Sequence, residues 1–446
     1  MKQKREEWSN KMNVGFVHLG CSKNLVDTEM AIGLFKENGY KIVNNEEEAD
    51  VLVINTCGFI EPAKEEAINT ILEMAEYKKK RCKYLIVMGC LVERYKEELS
   101  KAIPEVDLWI KYSSYSTIWE QIETILKSEK ENKNNLDFLD RVITTGNNFA
   151  YLRIAEGCSN FCTYCAIPKI RGPFVSRKME DVIKEAKKLA NEGYEELIII
   201  AQDTTKYGID IYGESKLAEL LKELCKIEKL KWIRFLYAYP ETITDELIEV
   251  VKNEDKICKY FDIPIQHISN SVLKRMNRKS NGETIRSLIK RLRKEIPGVV
   301  IRTTVMVGFP GETKEDFEEL YDFVKEARFE RLGAFSFSKE EGTPAEKLKD
   351  QIHPMTKKSR YNKIMSLQQK IASETQQEMV GKELEVLIET KTFDGKYYVG
   401  RSYREVPDID GLIYIEMVEK ALEGKFVKCK ITKASGYDLI GEISKL

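Results

Sequence analysis

The residue types best suited to metal chemistry in this chain are three cysteines within eight residues, Cys158, Cys162 and Cys165. Thiolates bind iron-sulfur clusters, zinc and copper(I), and a structural zinc site normally has four protein ligands. A cubane cluster held by these three thiols would keep one iron open for another ligand. Two alternatives remain: a zinc loop with a distant fourth ligand, and a loop whose cysteines only pack. We favour the cluster, because unpaired thiols rarely gather without a metal.

A second set of three cysteines is spread over the first ninety residues. Cys21, Cys57 and Cys90 each follow a short apolar run, at 14–19, 51–55 and 84–88. If these runs are parallel strands, their carboxyl ends lie at one edge of a sheet, where open α/β sheets place their sites. The alternative is that each thiol fills a buried strand end, as small apolar side chains often do. Three such coincidences favour a second three-thiolate site.

Length and composition exclude several classes of protein. The chain has 446 residues, of which 42% are hydrophobic, so it can bury large cores in about three domains. Ten cysteines are few for a disulfide scaffold of this length, and the charged start lacks the apolar segment of a secretion signal. No apolar run approaches the roughly 18 residues that span a bilayer. We expect a cytoplasmic protein with no membrane partner.

The pattern of apolar runs predicts an α/β multidomain protein. From 13 to about 127, short apolar runs alternate with amphipathic helices, which is typical of βαβ units and a parallel sheet. A polar stretch at 128–148 reads as a linker. Six strand-and-helix repeats then predict a partial barrel, and the trio at Cys158 follows its first strand, where barrel loops build their sites. The six predicted strands are 150–154, 197–201, 232–237, 260–265, 299–306 and 332–337.

The last part of the chain has a different pattern. A long helix is predicted from Pro354 to about Met379, followed by short apolar runs at 384–388, 396–399, 412–415 and 426–431. Gly, Asp and Pro turns separate these runs, so we expect a small antiparallel β-barrel. Residues 381–446 carry 11 basic and 12 acidic side chains, a net charge of -1. A barrel that gripped phosphate backbones would be expected to carry a basic surplus.

The spacing of the compact trio, with Tyr164 before its last cysteine, resembles the radical S-adenosylmethionine superfamily. The whole chain resembles the methylthiotransferases of that superfamily. The resemblance implies an N-terminal methylthiotransferase domain at 12–127, a linker at 128–148, a radical core barrel at 149–376 and a TRAM domain at 377–446. The branch that modifies a ribosomal protein is the most similar, on the stretches Leu19–Glu29, Ile54–Lys64, Gln202–Gly208 and Val406–Gly411.

The family implies two [4Fe-4S] clusters and S-adenosyl-L-methionine as cofactors. By this likeness Cys158, Cys162 and Cys165 hold the cluster that cleaves the cofactor to a 5'-deoxyadenosyl radical. Cys21, Cys57 and Cys90 hold an auxiliary cluster that carries the sulfur, and the two clusters face one cavity. The implied substrate is an aspartate β-carbon in ribosomal protein S twelve, free or in the small subunit. A sulfur donor and an electron donor are further partners, and both are unidentified.

Contacts to S-adenosylmethionine are predicted from position and from likeness to the superfamily. Tyr164 could pack on adenine, although ordinary loop packing explains it equally well. Gln202 and Gln266 end the second and fourth predicted strands, and Arg302 lies on the fifth, so all three could project toward the barrel mouth. The turn 307–312 offers backbone to a flat adenine, or it is a simple strand-to-helix turn. We assign no catalytic side chain beyond the six cysteines, and none to the three histidines.

Two other functions remain as alternatives. A tRNA adenosine methylthiotransferase of the MiaB-like branch would share all of this machinery and differ only in its partner. A non-catalytic metal or redox module could instead bind RNA through the C-terminal barrel, although two trios without a fourth cysteine disfavour it. The product of the reaction separates the first two, and cleavage of S-adenosylmethionine separates both from the third.

Overall fold

The computed structural model describes residues 12–126, 135–418 and 421–445. The chain forms two compact units. The first unit contains the chain up to Thr144 with 156–159 and 165–175, and the second contains 145–155, 160–164 and the chain from Ser176 onward. Among the described residues, no helix has the length and apolar character needed to cross a membrane.

The first unit contains a five-stranded sheet in the order β2-β1-β3-β4-β5, with every pair parallel. Its three longest strands are those predicted from the apolar runs, and the short outer strands β2 and β5 were not predicted individually. The elements are β1 (Asn13–His18), α1 (Ser22–Glu37), β2 (Lys41–Val43), β3 (Val51–Thr56), α2 (Glu61–Ala75), β4 (Tyr84–Gly89), α3 (Cys90–Ala102), β5 (Leu108–Lys111) and α4 (Ile118–Leu126).

Helices cover both faces of this sheet. Leu34 and Phe35 of α1 pack with Trp119 of α4 on one face, and Ile71 of α2 packs with Val92 of α3 on the other. Strands buried on both faces favour apolar side chains at successive positions, which is why the first four residues of β3, at 51–54, are all apolar. The order of the strands reverses between β1 and β3, so the site-bearing crevice is expected at their carboxyl ends.

The described part of the predicted linker has no helix or strand and is fixed to α1 within the first unit. Arg141 Nη1 lies 2.5 Å from Glu29 Oε2, and the Thr144 backbone N–H donates to Glu29 Oε1 at 2.8 Å. Both partners of the ion pair have side chains that are 1% exposed. Residues 128–134 of the predicted linker lie outside the described residues. The segment 135–144 is therefore packed structure and not a free spacer.

The middle of the chain supplies the partial barrel. Two three-stranded parallel sheets, β6-β9-β10 and β11-β12-β13, lie in chain order, and all six strands agree with the predicted positions within two residues or so. The elements are β6 (Phe149–Arg153), β7 (Ala155–Glu156), α5 (Ile167–Arg171), β8 (Val175–Ser176), α6 (Met179–Asn191), β9 (Glu196–Ile200), α7 (Ile209–Tyr212), α8 (Leu217–Cys225), β10 (Trp232–Phe235), α9 (Asp245–Asn253), β11 (Tyr260–Gln266), α10 (Asn270–Arg275), α11 (Gly282–Glu295), β12 (Val300–Val307), α12 (Lys314–Ala327) and β13 (Arg331–Ser336).

A long helix and a closed five-stranded barrel complete the second unit. The barrel order is β14-β15-β16-β18-β17, with four antiparallel pairs and one parallel pair, β16 with β18. The expected barrel is confirmed, but it is not antiparallel throughout, and its fifth strand was not predicted. These elements are α13 (Pro354–Gln377), β14 (Glu383–Lys391), β15 (Tyr397–Arg401), β16 (Ile413–Glu416), β17 (Phe426–Ser435) and β18 (Asp438–Lys445).

The segment 401–410 of the C-terminal barrel lies against the amino ends of the barrel strands. Arg401 Nη2 lies 2.8 Å from Glu196 Oε2, at the first residue of β9. Arg331, which opens β13, lies 3.2 Å from Glu405, and Tyr260, which opens β11, donates its hydroxyl to Asp410 Oδ2 at 2.7 Å. In parallel barrels the active site lies at the carboxyl ends of the strands. This segment therefore covers the opposite end, which contributes to stability.

Candidate iron-sulfur sites

The structure brings Cys21, Cys57 and Cys90 to one edge of the first unit's sheet. They follow β1, β3 and β4, which are neighbours in the sheet. A Cβ built on Gly20 would lie 2.9 Å from Cys57 Cβ and 3.5 Å from its Sγ, so the first two loops touch. The charges of Cys21 and Cys57 also act on Cys90. Three thiols far apart in sequence therefore lie at one edge of the sheet, and their binding of a cluster stays a prediction.

Helix ends lie behind two of these thiols. Cys21 is the N-cap residue of α1, and Cys90 is the first residue of α3. The free N–H groups at a helix start and the helix dipole favour negative charge, so thiolates are stabilised there. Cys21 is exposed, Cys57 is half-buried and Cys90 is buried. The trio is thus open to solvent on the Cys21 side.

Two asparagines fix the loops that carry Cys21 and Cys57. The Asn24 side-chain amide donates to the carbonyl oxygens of Leu19 at 2.9 Å and Thr56 at 3.0 Å. Asn55 donates in turn to the carbonyl oxygen of Asn24 at 2.9 Å and to the Thr28 hydroxyl at 2.9 Å. Both amides are buried, and buried polar groups that find partners hold a single arrangement. The spacing of the two loops is therefore set by α1 and β3 and not by a metal alone.

Burial opposes ionisation of two of the thiols in the metal-free protein. Burial raises the pKa of Cys90 to about 12, the charge of Arg171 opposes that rise, and Cys21 and Cys57 add to it. Burial also raises the pKa of Cys57, against hydrogen bonds from the Phe59 and Gly58 backbone. Because a metal binds thiolates and not thiols, loading this site releases protons. The donor set fits a soft iron-sulfur centre.

The loop of the compact trio is fixed differently at its two ends. In the first unit, the Cys158 N–H donates to the Gly172 carbonyl oxygen at 3.1 Å. Gly157 has φ +69°, and a Cβ there would collide with the Pro173 carbonyl oxygen. Only glycine meets both demands, a positive φ and a close backbone approach. Cys158 is buried and Cys165 is half-buried, directly before α5.

The second unit contains Cys162 and the residues that surround it. The guanidinium of Arg278 is close enough for the charges of Cys162 and Tyr164 to raise its pKa against burial, which lowers it. Arg278 stacks over the Tyr239 ring at 4.3 Å and donates from Nη2 to the Pro264 carbonyl oxygen at 3.1 Å. Its buried Nε and Nη1 have no hydrogen-bond partner among the described residues. Glu241 Oε2 lies 3.7 Å from Arg278 Nη2. The two donors without a partner, near the Cys162 thiol, fit an anionic or carboxylate-bearing cofactor.

The stretch 202–208, which carries part of the family resemblance, supports the trio loop from within the second unit. The Asn160 amide donates to Asp203 Oδ2 at 2.8 Å, and Lys206 Nζ also contacts Asn160 Oδ1. Thr205 donates its hydroxyl to Asp203 Oδ1 at 2.6 Å. Asp203 is fully buried, and burial raises its pKa against these hydrogen bonds. The stretch thus anchors Asn160, two residues before Cys162.

The four predicted cofactor contacts lie at different places in the second unit. Tyr164 meets Phe309 edge to face at 6.5 Å and packs beside the small core of Val272 and Met276. Gln202 lies two residues beyond β9, and Gln266 is the last residue of β11 with φ +67°. A positive φ away from glycine is typical of strained functional positions. These three contacts stay predictions.

Arg302 lies apart from the other predicted contacts. It is the third residue of β12, with Nη1 3.5 Å from Asp262 Oδ1. Burial lowers its pKa, but Asp262, Tyr260 and Asp410 outweigh burial and raise it. Tyr260 and Asp410 lie at the amino ends of the barrel strands, so these partners hold the guanidinium toward that end. Its predicted contact with the cofactor stays a prediction.

The sequence pattern did not reveal three polar residues next to the cysteines: Asp203, Arg278 and Arg171. Asp203 lies inside a stretch that resembles the family, and the sequence pattern assigned no role to any of the three residues. Arg171 pairs with Asp27, 144 residues away, so only the folded chain shows the contact. Within the described residues no group of three or more Cys, His, Asp or Glu is arranged to enclose a single metal ion.

Three family models match the chain. They are the Radical SAM superfamily at 152–324, the Uncharacterized protein family UPF0004 at 13–111 and the TRAM domain at 380–443. The predicted α/β architecture with a radical-type partial barrel and a C-terminal TRAM barrel is thereby confirmed. The cysteine trio at 158–165 lies in the first match, and the trio of Cys21, Cys57 and Cys90 lies in the second.

Relatives of known name match the chain almost end to end. Ribosomal protein uS12 methylthiotransferase RimO of Alkaliphilus oremlandii is 63% identical over 433 residues, which is 97% of this chain and 99% of the relative. The protein of the same name from Clostridium perfringens is 52% identical over 441 residues, covering 97% and 98%. Both values far exceed what a shared fold alone requires.

Solved structures show the same fold at low identity. The radical S-adenosylmethionine methyltransferase TsrM from Kitasatospora setae has a TM-score of 0.58 at 13% identity, covering 75% of each chain. The cobalamin-dependent S-adenosylmethionine radical enzyme OxsB has a TM-score of 0.53 at 14% identity, covering 81% of this chain and 56% of its own. At this identity the likeness concerns the fold only.

Proposed function

We infer the reaction from one premise: this chain belongs to the RimO family of ribosomal protein uS12 methylthiotransferases. The observation that carries this membership is 63% identity over 97% of the chain to a relative of that name. We propose that the chain is a radical S-adenosylmethionine methylthiotransferase that places a methylthio group on the β-carbon of an aspartate in uS12. Its partners are then uS12 and the donors of sulfur and electrons.

The chemistry of the substrate explains why the site is built from thiols. An aspartate β-carbon has no proton acidic enough for a side-chain base and no leaving group, so acid-base or nucleophilic catalysis does not suffice. When bound, S-adenosylmethionine and the cluster supply a radical able to remove a hydrogen atom from such a carbon. The protein supplies placement and exclusion of water. Within the second unit, the buried Cys162 thiol and the buried Arg278 support this role.

We assign the two thiol sites different roles. Cys158, Cys162 and Cys165 hold the cluster that works with S-adenosylmethionine, as membership of the radical superfamily implies. Cys21, Cys57 and Cys90 hold a second [4Fe-4S] cluster, on which the sulfur is carried. The support for the second is the meeting of three thiols at one sheet edge beside two helix starts. Tyr164, Gln202, Gln266 and Arg302 are proposed to contact S-adenosylmethionine.

The domain limits are part of the same proposal. We place the auxiliary site in a domain at 12–127, the linker at 128–148, the radical core at 149–376 and the TRAM domain at 377–446. The match of the TRAM model begins at 380 and that of the radical model at 152, close to these limits. The C-terminal barrel carries no basic surplus, which favours a protein substrate over tRNA.

One experiment tests both the reaction and its substrate. The cluster-loaded chain is incubated under reducing conditions with S-adenosylmethionine and either uS12 or tRNA, and products are weighed by mass spectrometry. We expect a methylthio group on an aspartate of uS12 and none on tRNA. If only adenosine in tRNA gained a methylthio group, the chain would instead be assigned to the MiaB-like branch.

A cysteine variant tests the assignment of the radical site. Replacing Cys158, Cys162 and Cys165 by alanine is expected to leave one cluster of two and to abolish formation of 5'-deoxyadenosine. Cys225→Ala is the matched control, because this half-buried thiol ends α8 and belongs to neither trio. The assignment is wrong if the triple variant still cleaves S-adenosylmethionine.

A further inference from the structure

A buried cation lies between the first thiol site and the segment that carries Cys158, both within the first unit. Arg171 ends α5, six residues after Cys165, and its side chain is 1% exposed. A charge removed from water is costly unless it is paired and hydrogen-bonded. This buried arginine therefore needs partners that offset this cost. The partners are two carboxylates, one aromatic ring and the thiols of the first trio.

The carboxylates hold the guanidinium in one orientation. Arg171 Nη2 lies 2.8 Å from Asp27 Oδ2, and Nη1 lies 3.1 Å from Glu156 Oε2. The guanidinium carbon lies 4.6 Å from the centroid of the Tyr112 ring. Asp27 belongs to α1, directly behind Cys21, and Glu156 comes two residues before Cys158. The planar fork is thus fixed between the helix of one trio and the loop of the other.

The end of the helix that bears Arg171 packs against the first trio. Burial raises the pKa of the Cys90 thiol and the charge of Arg171 opposes that rise; the same charge also acts on Cys57 and Cys21. The helix that bears it packs on the same thiol, because Ala166 and Ile170 form a small buried cluster with Cys90. The end of α5 thus packs on Cys90, and the cation that ends this helix interacts with the charges of the first trio.

The same turn of chain supports the second trio through its backbone. The Gly172 carbonyl oxygen, one residue after Arg171, accepts the Cys158 N–H at 3.1 Å. Pro173 closes against Gly157 so tightly that no side chain fits there. A displacement of Arg171 would therefore move the backbone under Cys158 as well as the charge beside Cys90.

We propose that Arg171 is a positioning residue for the auxiliary cluster, whose charge raises the cluster's reduction potential while its helix couples that site to the Cys158 loop. This inference rests on the proposed function, because it assumes a cluster on Cys21, Cys57 and Cys90. A positive charge beside a cluster stabilises the reduced form, which carries one more electron. Removing the charge must therefore lower the potential.

The test isolates the auxiliary cluster in the full chain with Cys158, Cys162 and Cys165 replaced by alanine. In this background the potential is measured by redox titration followed by electron paramagnetic resonance. Arg171→Gln is expected to shift the reduction equilibrium at least tenfold toward the oxidised form, about 59 mV for one electron. Arg171→Lys keeps the charge and is expected to restore most of the potential.

The control is Arg141→Gln in the same background. Arg141 also has a side chain 1% exposed and a carboxylate partner, Glu29, on the same helix α1. It is expected to lower stability and leave the potential unchanged. If Arg171→Gln loads no cluster while the Lys and Arg141→Gln variants load it normally, positioning is supported.

Two outcomes would overturn the inference, and they are distinguishable. Equal potentials in the parent, Arg171→Gln and Arg141→Gln would show that Arg171 has only a structural role, with the second cluster intact. A parent that binds no cluster at Cys21, Cys57 and Cys90 would instead refute the proposed function on which the inference rests.

Discussion

At the scale of single residues, the cysteines were visible in the sequence and the groups that tune them were not. The spacing of Cys158, Cys162 and Cys165 singles them out in the sequence. Their places directly after apolar runs single out Cys21, Cys57 and Cys90. Arg171 and Arg278 act through partners far along the chain, so no local pattern marks them. Cysteines are rare enough for their clustering to be noticed in a sequence. Arginines are common, and the role of a particular one depends on the partners that folding brings to it.

His267 gives a prediction on pH at this scale. It is fully buried, its Nδ1 accepts the Ser269 N–H at 3.0 Å, and burial lowers its pKa to about 3 although Asp316 opposes this. Below pH 6.5 the unfolded chain binds a proton at this histidine and the folded chain does not. The contribution of His267 to the free energy of unfolding is therefore complete above pH 6.5 and is lost as the pH falls toward 3. His267→Asn keeps an acceptor but does not titrate. When the pH is lowered from 7.5 to 5.5, the free energy of unfolding of the iron-free parent should fall by about 1 kcal/mol more than that of the variant, as measured by denaturant titration.

His353 provides the control for that measurement. Its Nδ1 accepts the Met355 N–H at 3.2 Å, so each histidine accepts the N–H of the residue two positions later. The side chain of His353, however, is exposed. His353→Asn is expected to keep the pH dependence of the parent. Identical profiles for parent and His267→Asn would contradict the burial argument.

At the scale of helices and strands, the sequence located most of the fold. The six barrel strands and the three central strands of the first sheet lie where apolar runs predicted them. β2 has three residues and β18 is broken by polar side chains and Gly441, so neither forms an apolar run. The parallel pairing of β16 with β18 depends on how the barrel closes. The pattern of apolar residues therefore locates the buried strands. Edge strands and the strand that closes the barrel are determined by packing in the folded chain.

The junction of α1 with β3 gives the second prediction. Asn24→Ala removes the two hydrogen bonds that tie the Cys21 loop to the Cys57 loop, at a cost of about 1–3 kcal/mol in unfolding free energy. We expect loss of the auxiliary cluster, seen as half the iron per chain with 5'-deoxyadenosine formation retained.

Asn38 is the matched residue at the other end of the same helix. Its buried amide donates to the Leu34 carbonyl oxygen at 2.8 Å, away from both loops. Asn38→Ala should lose stability and keep all of its iron. Equal iron loss in the two variants would mean that destabilisation of α1, and not the link between the loops, empties the site.

At the scale of the whole molecule, a buried charge network binds the C-terminal barrel to the radical barrel. Glu196 accepts from Arg234 Nε at 3.1 Å and from Arg401 Nη2 at 2.8 Å, and all three side chains are at most 1% exposed. Burial raises the pKa of Glu196, but Arg401 and Arg234 outweigh burial and lower it. The carboxylate is therefore charged and serves both barrels.

Glu196→Gln is the third prediction. It leaves two buried guanidinium groups with less compensating charge, so we expect a loss of about 3 kcal/mol in unfolding free energy. The ion pair of Lys231 with Glu385, 3.2 Å apart, joins the same two barrels with both side chains over 40% exposed. Glu385→Gln should cost under about 1 kcal/mol. Denaturant titration compares the two, and similar losses would show that burial does not strengthen the Glu196 network.

The contact of 401–410 with the amino ends of the barrel strands also limits how this protein can change over generations. A module attached only by a flexible connection can be exchanged by recombination without harm to its neighbour. Here an incoming module would have to bring a cation where Arg401 lies and acceptors where Glu405 and Asp410 lie. New substrates are therefore expected to be acquired by point substitutions on the exposed strands of the C-terminal barrel, with the module itself inherited intact.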